Sequence, residues 1–219
     1  VAPGLYHLER DLPQAKIALG HRGVERQGWD DPEALALLVM NEVLGGAGPI
    51  SRLRASLRGR QGIAYRAGSR FDAGLRWEGD FQVLLEVEGS QAGRAVELAL
   101  AEIARLRREP VPAAELELAR RALGDGLPLL FDRPEETAGR YAEDELLGRP
   151  HGYWTSYVER LRGVSAADVQ RAARRHLRPE ALVYLVAGRR ADAALVADAV
   201  GLPIRTLPER EPLSLQPAP

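Results

Sequence analysis

The 219-residue chain contains no cysteine, which excludes disulfides, thiolate-bound zinc and a cysteine nucleophile in one step. Lys16 is the only lysine, so every other basic residue is arginine. We assign that bias mainly to nucleotide composition, and only slightly to arginine's better bidentate pairing. No charge of one sign dominates: 30 basic against 31 acidic residues leave a formal charge of −1. That balance removes the long-range electrostatic argument for nucleic acid or an anionic membrane as partner. No apolar run approaches the roughly 18 residues of a membrane span, and no charged-then-apolar signal segment opens the chain. The chain begins at Val1 and not at Met, so we expect a piece of a longer protein whose neighbouring domain is missing. With 45% hydrophobic and 28% charged residues the composition is that of a soluble globular protein, cytoplasmic or periplasmic.

The usual catalytic patterns are missing as well. His7, His21, His151 and His176 are scattered, and neither H-E-x-x-H nor H-x-x-E-H occurs. A helical zinc pair needs both imidazoles on one face with a glutamate as base, so no metal site is expected in this chain. The histidines read as surface or capping residues. None of Ser51, Ser56, Ser69, Ser90, Ser156, Ser165 or Ser214 lies in a G-x-S-x-G elbow. Asp30-Asp31 and Glu135-Glu136 sit at helix starts, where negative charge is favoured, and Glu143-Asp144-Glu145 reads as a solvated face.

What is present is a clear order of elements. Leu5 to Glu9 and Gln14 to Leu19 read as strands about Asp11-Leu12-Pro13. Asp30-Asp31-Pro32 opens a helix with Leu35, Leu38, Val39 and Val43 on one face, closed by Gly45-Gly46-Ala47-Gly48-Pro49, where glycine suits a left-handed C-cap. Ile63 to Arg70 and Trp77 to Glu88 read as long strands, the second with Phe81, Val83, Leu85 and Val87 facing inward. Helices follow: one carrying Val96, Leu98, Leu100, Ile103 and Leu106, then Ala113 to Leu123, Pro134 to Leu147 and Tyr153 to Leu161. Ser165 to Asp168 has capping-box spacing and opens a helix to His176-Leu177. Leu182 to Ala187, nearly continuous in apolar character, reads as a central buried strand. Strands, a helical block and a returning strand make an α+β plan with helices packed on one face of a sheet. We expect one domain over residues 1–206 and a Pro-rich tail over 207–219.

One segment stands apart. Leu57-Arg58-Gly59-Arg60-Gln61-Gly62-Ile63-Ala64-Tyr65 crosses from a short Arg-rich stretch, Ser51 to Arg58, through a turn at Gly62 into a strand. It places a guanidinium and a phenol at a helix-to-strand junction, from which both can project at one edge. In the plainest reading Arg58 is a solvent-facing arginine like Arg52, Arg54 and Arg60, and Tyr65 a strand aromatic. The pair also has chemical content, since a phenol hydroxyl can donate to a developing oxyanion and a guanidinium can fork onto peptide carbonyls.

The order Gln14, Ile17-Ala18-Leu19-Gly20, Asn41, Leu44-Gly45-Gly46, Ser51-Arg52-Leu53, Leu57-Arg58, Gly62 to Tyr65, Gly79, Glu115-Leu116, Ala119-Arg120, Val164 to Val169 and Val186-Ala187-Gly188 resembles a known pattern. It is that of the second, non-metal half of pitrilysin/insulinase-type zinc metallopeptidases, which include the mitochondrial processing peptidases. The resemblance implies a mixed, mainly antiparallel sheet with helices on one face. It implies a domain inactive alone, whose partner half carries H-x-x-E-H and the zinc, on the same polypeptide or as a separate subunit. It implies that Arg58 and Tyr65 are offered to peptide substrate in the chamber the two halves enclose. Gly59-Arg60 and Gln61 depart from the family's frequent residues and leave substrate preference open. The same fold also serves as a catalytically silent scaffold or binding subunit, and that alternative stands beside the first.

Overall fold

The computed structural model describes residues 1–47, 51–59 and 62–208. Eight short or long strands are β1 (Gly4–Glu9), β2 (Gln14–Arg22), β3 (Val24–Glu25), β4 (Ala64–Phe71), β5 (Ala73–Gly74), β6 (Asp80–Glu88), β7 (Val183–Gly188) and β8 (Ile204–Thr206). The helices are α1 (Pro32–Gly45), α2 (Arg52–Arg54), α3 (Ala92–Arg108), α4 (Ala113–Asp125), α5 (Pro134–Leu147), α6 (Tyr153–Gly163), α7 (Ala166–His176) and α8 (Arg190–Val200). A π-helical turn, Ala55–Gly59, continues α2.

Six strands form one sheet in the order β4-β6-β2-β7-β1-β8, and β3 pairs with β5 in a small parallel ribbon. The pairs from β4 to β7 are antiparallel, whereas β7–β1 and β1–β8 are parallel, so the sheet is mixed and mostly antiparallel. Strand β7 enters between β1 and β2, which adjoin in sequence but not in the sheet. The helices cover one face. In β6 the alternation is clean: Phe81, Val83, Leu85 and Val87 are buried beneath the helices, while Gln82, Leu84, Glu86 and Glu88 line the other face. The α+β plan read from the sequence is the observed one.

Helix α1 is the hub of the helical layer. Asp31 caps it by accepting from the Glu33 N–H at 2.9 Å, and Pro32 takes the first position. It is buried nearly all round, from Leu35 to Gly45, and not on one face as the spacing suggested, because β4, α4 and α7 all pack on it. Its C-cap also differs. Gly46 is extended (φ −61°, ψ −176°) and not left-handed. Glycine is needed there for closeness: a Cβ on Gly46 would lie 2.0 Å from Glu42 Oε2, and one on Gly45 2.5 Å from the Ser69 nitrogen. Gly48 and Pro49 lie outside the described residues.

Other boundaries moved for local reasons. Trp77 is exposed in a bend, and the strand begins at Asp80, after Gly79 has come close to Asp72. Helix α4 runs through Gly124 to Asp125. Strand β7 is central but buried on one face only, with Tyr184, Val186 and Gly188 inward and Val183, Leu185 and Ala187 half-buried on the uncovered side. Helix α8 and strand β8 were not foreseen. Only Asp192, Ala193 and Val196 of α8 are buried, too few to mark a stripe in so alanine-rich a stretch. The capping box at Ser165 is formed as read, with the Asp168 N–H donating to Ser165 Oγ at 3.1 Å.

Candidate functional site

The outer strand β4 and the turn before it build an edge from irregular pieces. Leu53 and Leu57, both fully buried, seat α2 and the π turn in the core, and Arg58 emerges exposed on the turn's other side. The Ile63 N–H then donates to the Leu57 carbonyl at 2.8 Å, closing a neck around the connecting residues. Gly62 stands at φ +62°, a left-handed conformation that a side chain would strain. Arg60 and Gln61 lie outside the described residues.

Beyond the neck, Ala64 pairs with Val87 but Arg66 pairs with Glu86, so Tyr65 is the extra residue of a bulge. The bulge breaks the alternation and turns both Tyr65 and Arg66 outward, Tyr65 being 60% exposed. No hydrogen bond or ion pair ties the Arg58 or Tyr65 side chain to the described residues. The structure therefore places both at the open edge, on either side of the neck. A β-bulge at a sheet edge re-aims side chains, and a π turn is a rare form found frequently at functional sites.

The edge is held to α1 by polar contacts. Asn41 Nδ2 donates to the Ser69 carbonyl at 3.2 Å, and Ser69 Oγ donates to Asn41 Oδ1 at 2.8 Å. A hollow of about 300 Å³ opens beside it, lined by Gly46, Ala47, Arg54, Arg66, Arg70 and Leu84 among others. Arg70 is held by Asp80 at 2.7 Å. A second cavity, about 390 Å³, lies on the helical layer between α1, α6 and α7. Its rim carboxylates Asp30, Glu33 and Asp168 are each paired with an arginine, and it shares no residue with the edge.

Several polar residues sit differently from the sequence reading. Arg52 is buried, not solvent-facing, because Glu115 from α4 meets it. Three histidines are buried rather than superficial. His7 Nε2 donates to the Gly188 carbonyl at 3.0 Å. His21 donates from Nδ1 to the Arg22 carbonyl at 2.7 Å and accepts at Nε2 from the Arg178 N–H at 3.1 Å. Burial holds the His21 pKa below its ordinary value. His176 Nε2 lies 2.9 Å from Glu33 Oε1 at the end of α7, the position its helix-end reading anticipated. Asp144 is not on a solvated face either. It is buried, accepting from Arg149 and from Trp154 Nε1 at 2.7 Å, while the Arg149 guanidinium stacks 4.2 Å from the Trp29 ring centre. The arginines Arg66 and Arg70, which join Arg58 at the edge, had only their place in a predicted strand to mark them.

The residues present do not fit zinc. Among the described residues no three His, Asp or Glu side chains come together as a metal site. No described helix is long and apolar enough to cross a membrane.

Known proteins share this fold. The uncharacterized zinc protease YmxG of Bacillus subtilis is 25% identical over 166 residues, 76% of this chain and 39% of its own length. The chain thus spans about two-fifths of that curated relative. The crystal structure of a peptidase M16 inactive domain from Pseudomonas fluorescens superposes with a TM-score of 0.74 at 22% identity, covering 86% of this chain and 45% of that one. A protease from Helicobacter pylori gives 0.70 at 17%, over 85% and 45%. The family model described as the peptidase M16 inactive domain matches residues 2–123, and the chain belongs to that family.

Proposed function

We propose that this chain is the non-zinc-binding half of a peptidase, closing a chamber over peptide bound to a zinc-carrying half. The observation that carries this is the edge itself: Arg58 on a π turn and Tyr65 on a bulge, both exposed, and neither bonded through its side chain to the described residues. Arg58 forks onto backbone carbonyls or a carboxylate of the peptide and holds it in register. Tyr65 donates its phenolic hydrogen to the carbonyl oxygen on which negative charge develops during attack. The metal chemistry belongs to the partner half, with its H-x-x-E-H motif.

The uncovered sheet face supports the chamber reading. Lys16, Gln82, Leu84, Glu86, Val183 and Leu185 give it a mixed surface suited to an extended polypeptide rather than to one rigid ligand. Residues 1–206 act as one unit in this reading; of the expected tail, Leu207 still donates its N–H to the His7 carbonyl at 2.7 Å, and residues 209–219 lie outside the described residues.

The test is to mix this chain with the H-x-x-E-H half and a quenched fluorescent peptide library, with and without a zinc chelator. Chelator-sensitive cleavage that requires both halves is the expected result. Stable association with no cleavage of any peptide would overturn it in favour of a silent scaffold.

A further inference from the structure

Arg52 and Ser56 lie four residues apart on the inward side of the segment that ends at Arg58, and both are buried. Each is tied to a glutamate from a different helix. Arg52 makes a side-on fork to Glu115 of α4, with Nε to Oε1 at 2.7 Å and Nη2 to Oε2 at 2.8 Å. Ser56 Oγ donates to Glu102 Oε1 of α3, and the other Glu102 oxygen lies 3.5 Å from Arg105. Glu115 stands in the first turn of α4, where the helix dipole favours a carboxylate. Burial works against the charge on Arg52, but the hydrogen bonds to Glu115 together with the attraction of the Glu115, Glu102 and Glu109 carboxylates outweigh it, raising its pKa above the ordinary guanidinium value.

This is more fastening than so short a segment needs merely to pack. Leu53 and Leu57 already bury its apolar side. A π turn is a rare form, found mostly as a single turn within an α-helix. Closing it with one residue fewer would rotate the residues after the turn about the helix axis by on the order of 100°.

We propose that Arg52 and Ser56, through Glu115 and Glu102, are positioning residues for Arg58. The two anchors hold the π turn in the orientation that presents the Arg58 guanidinium to peptide. This rests on the substrate role of Arg58 given above, and the experiment separates the two.

Because the chain has no cysteine, an Arg58→Cys variant takes a single nitroxide spin label, whose line shape reports the turn in this chain directly. Glu115→Gln and Ser56→Ala are each expected to convert a restrained line shape to a mobile one. In the two-half peptidase with unlabelled chain, Glu115→Gln is expected to lower kcat/KM about tenfold, as misplacement of a contact group does. Placed on Arg58→Ala, it is expected to cost less than about twofold more, because residues acting through one group are not additive. Should Glu115→Gln fail to fold, the paired replacement Arg52→Met with Glu115→Leu keeps the buried volume and tests the same point. An unchanged line shape, or losses that simply multiply, would overturn the positioning role. A mobilised label with Arg58→Ala fully active would overturn the substrate role of Arg58 and leave the anchoring in place.

Discussion

Tyr65 is the residue on which the catalytic reading turns, and its exposure makes it a clean one to change. Tyr65→Phe removes an exposed hydroxyl with no partner among the described residues, so its effect on stability is expected to stay within about 0.5 kcal/mol. In the two-half peptidase it is expected to lower kcat about 100-fold, the scale of losing one oxyanion donor. Steady-state kinetics beside a thermal melt reads both numbers at once. The Arg58–Tyr65 pair was singled out because its order and spacing resembled a known pattern. The bulge and π turn that expose it were not, since both depend on the hydrogen-bond register with strands and helices far along the chain. Arg52 failed for the same reason: nothing within its own segment announces Glu115, 63 residues away. His21 carries a separate prediction. Its depressed pKa means that the unfolded chain takes up a proton near pH 6.5 that the folded chain refuses. Its contribution is therefore complete above about pH 6.5 and declines as the pH falls below it. Urea midpoints at pH 7.5 and 5.5 are expected to separate more for the wild type than for His21→Gln.

At the scale of elements, the contact between α1 and β4 decides where the edge sits. Gly45→Ala places a methyl group 2.5 Å from the Ser69 nitrogen, which is backbone and yields only if the strand moves. Overpacking of this kind costs about 1–3 kcal/mol, and a chemical-denaturation midpoint should show it. Disruption of the Asn41–Ser69 hydrogen bonds would appear as faster amide exchange along β4. The amphipathic elements were the readable ones. The two-residue period of β6 and the capping box of α7 each announce themselves within a few residues. Helix α8 and strand β8 do not, because their places come from contacts with α3, β7 and β1 rather than from a stripe of their own. The burial of α1 on all sides was likewise hidden, since a sequence shows which residues are apolar and not how many neighbours compete for them.

For the whole molecule, the insertion of β7 between β1 and β2 makes the sheet depend on residues from both ends of the described chain. Removing residues 183–219 leaves β1 without a partner on either side and opens one flank of β2. Such a truncation is expected to abolish cooperative thermal unfolding rather than lower its midpoint modestly, which calorimetry distinguishes. The one-sided helical cover has another consequence, for how such a protein changes over generations. Along β6, odd-numbered residues from Phe81 to Val87 maintain the fold, while even-numbered ones from Gln82 to Glu88 meet whatever occupies the uncovered face. Stability and surface character are written on alternate letters of the same nine-residue word. A saturation library across β6 should tolerate broad change at every second codon, so the uncovered face can drift while the scaffold beneath it stays the same.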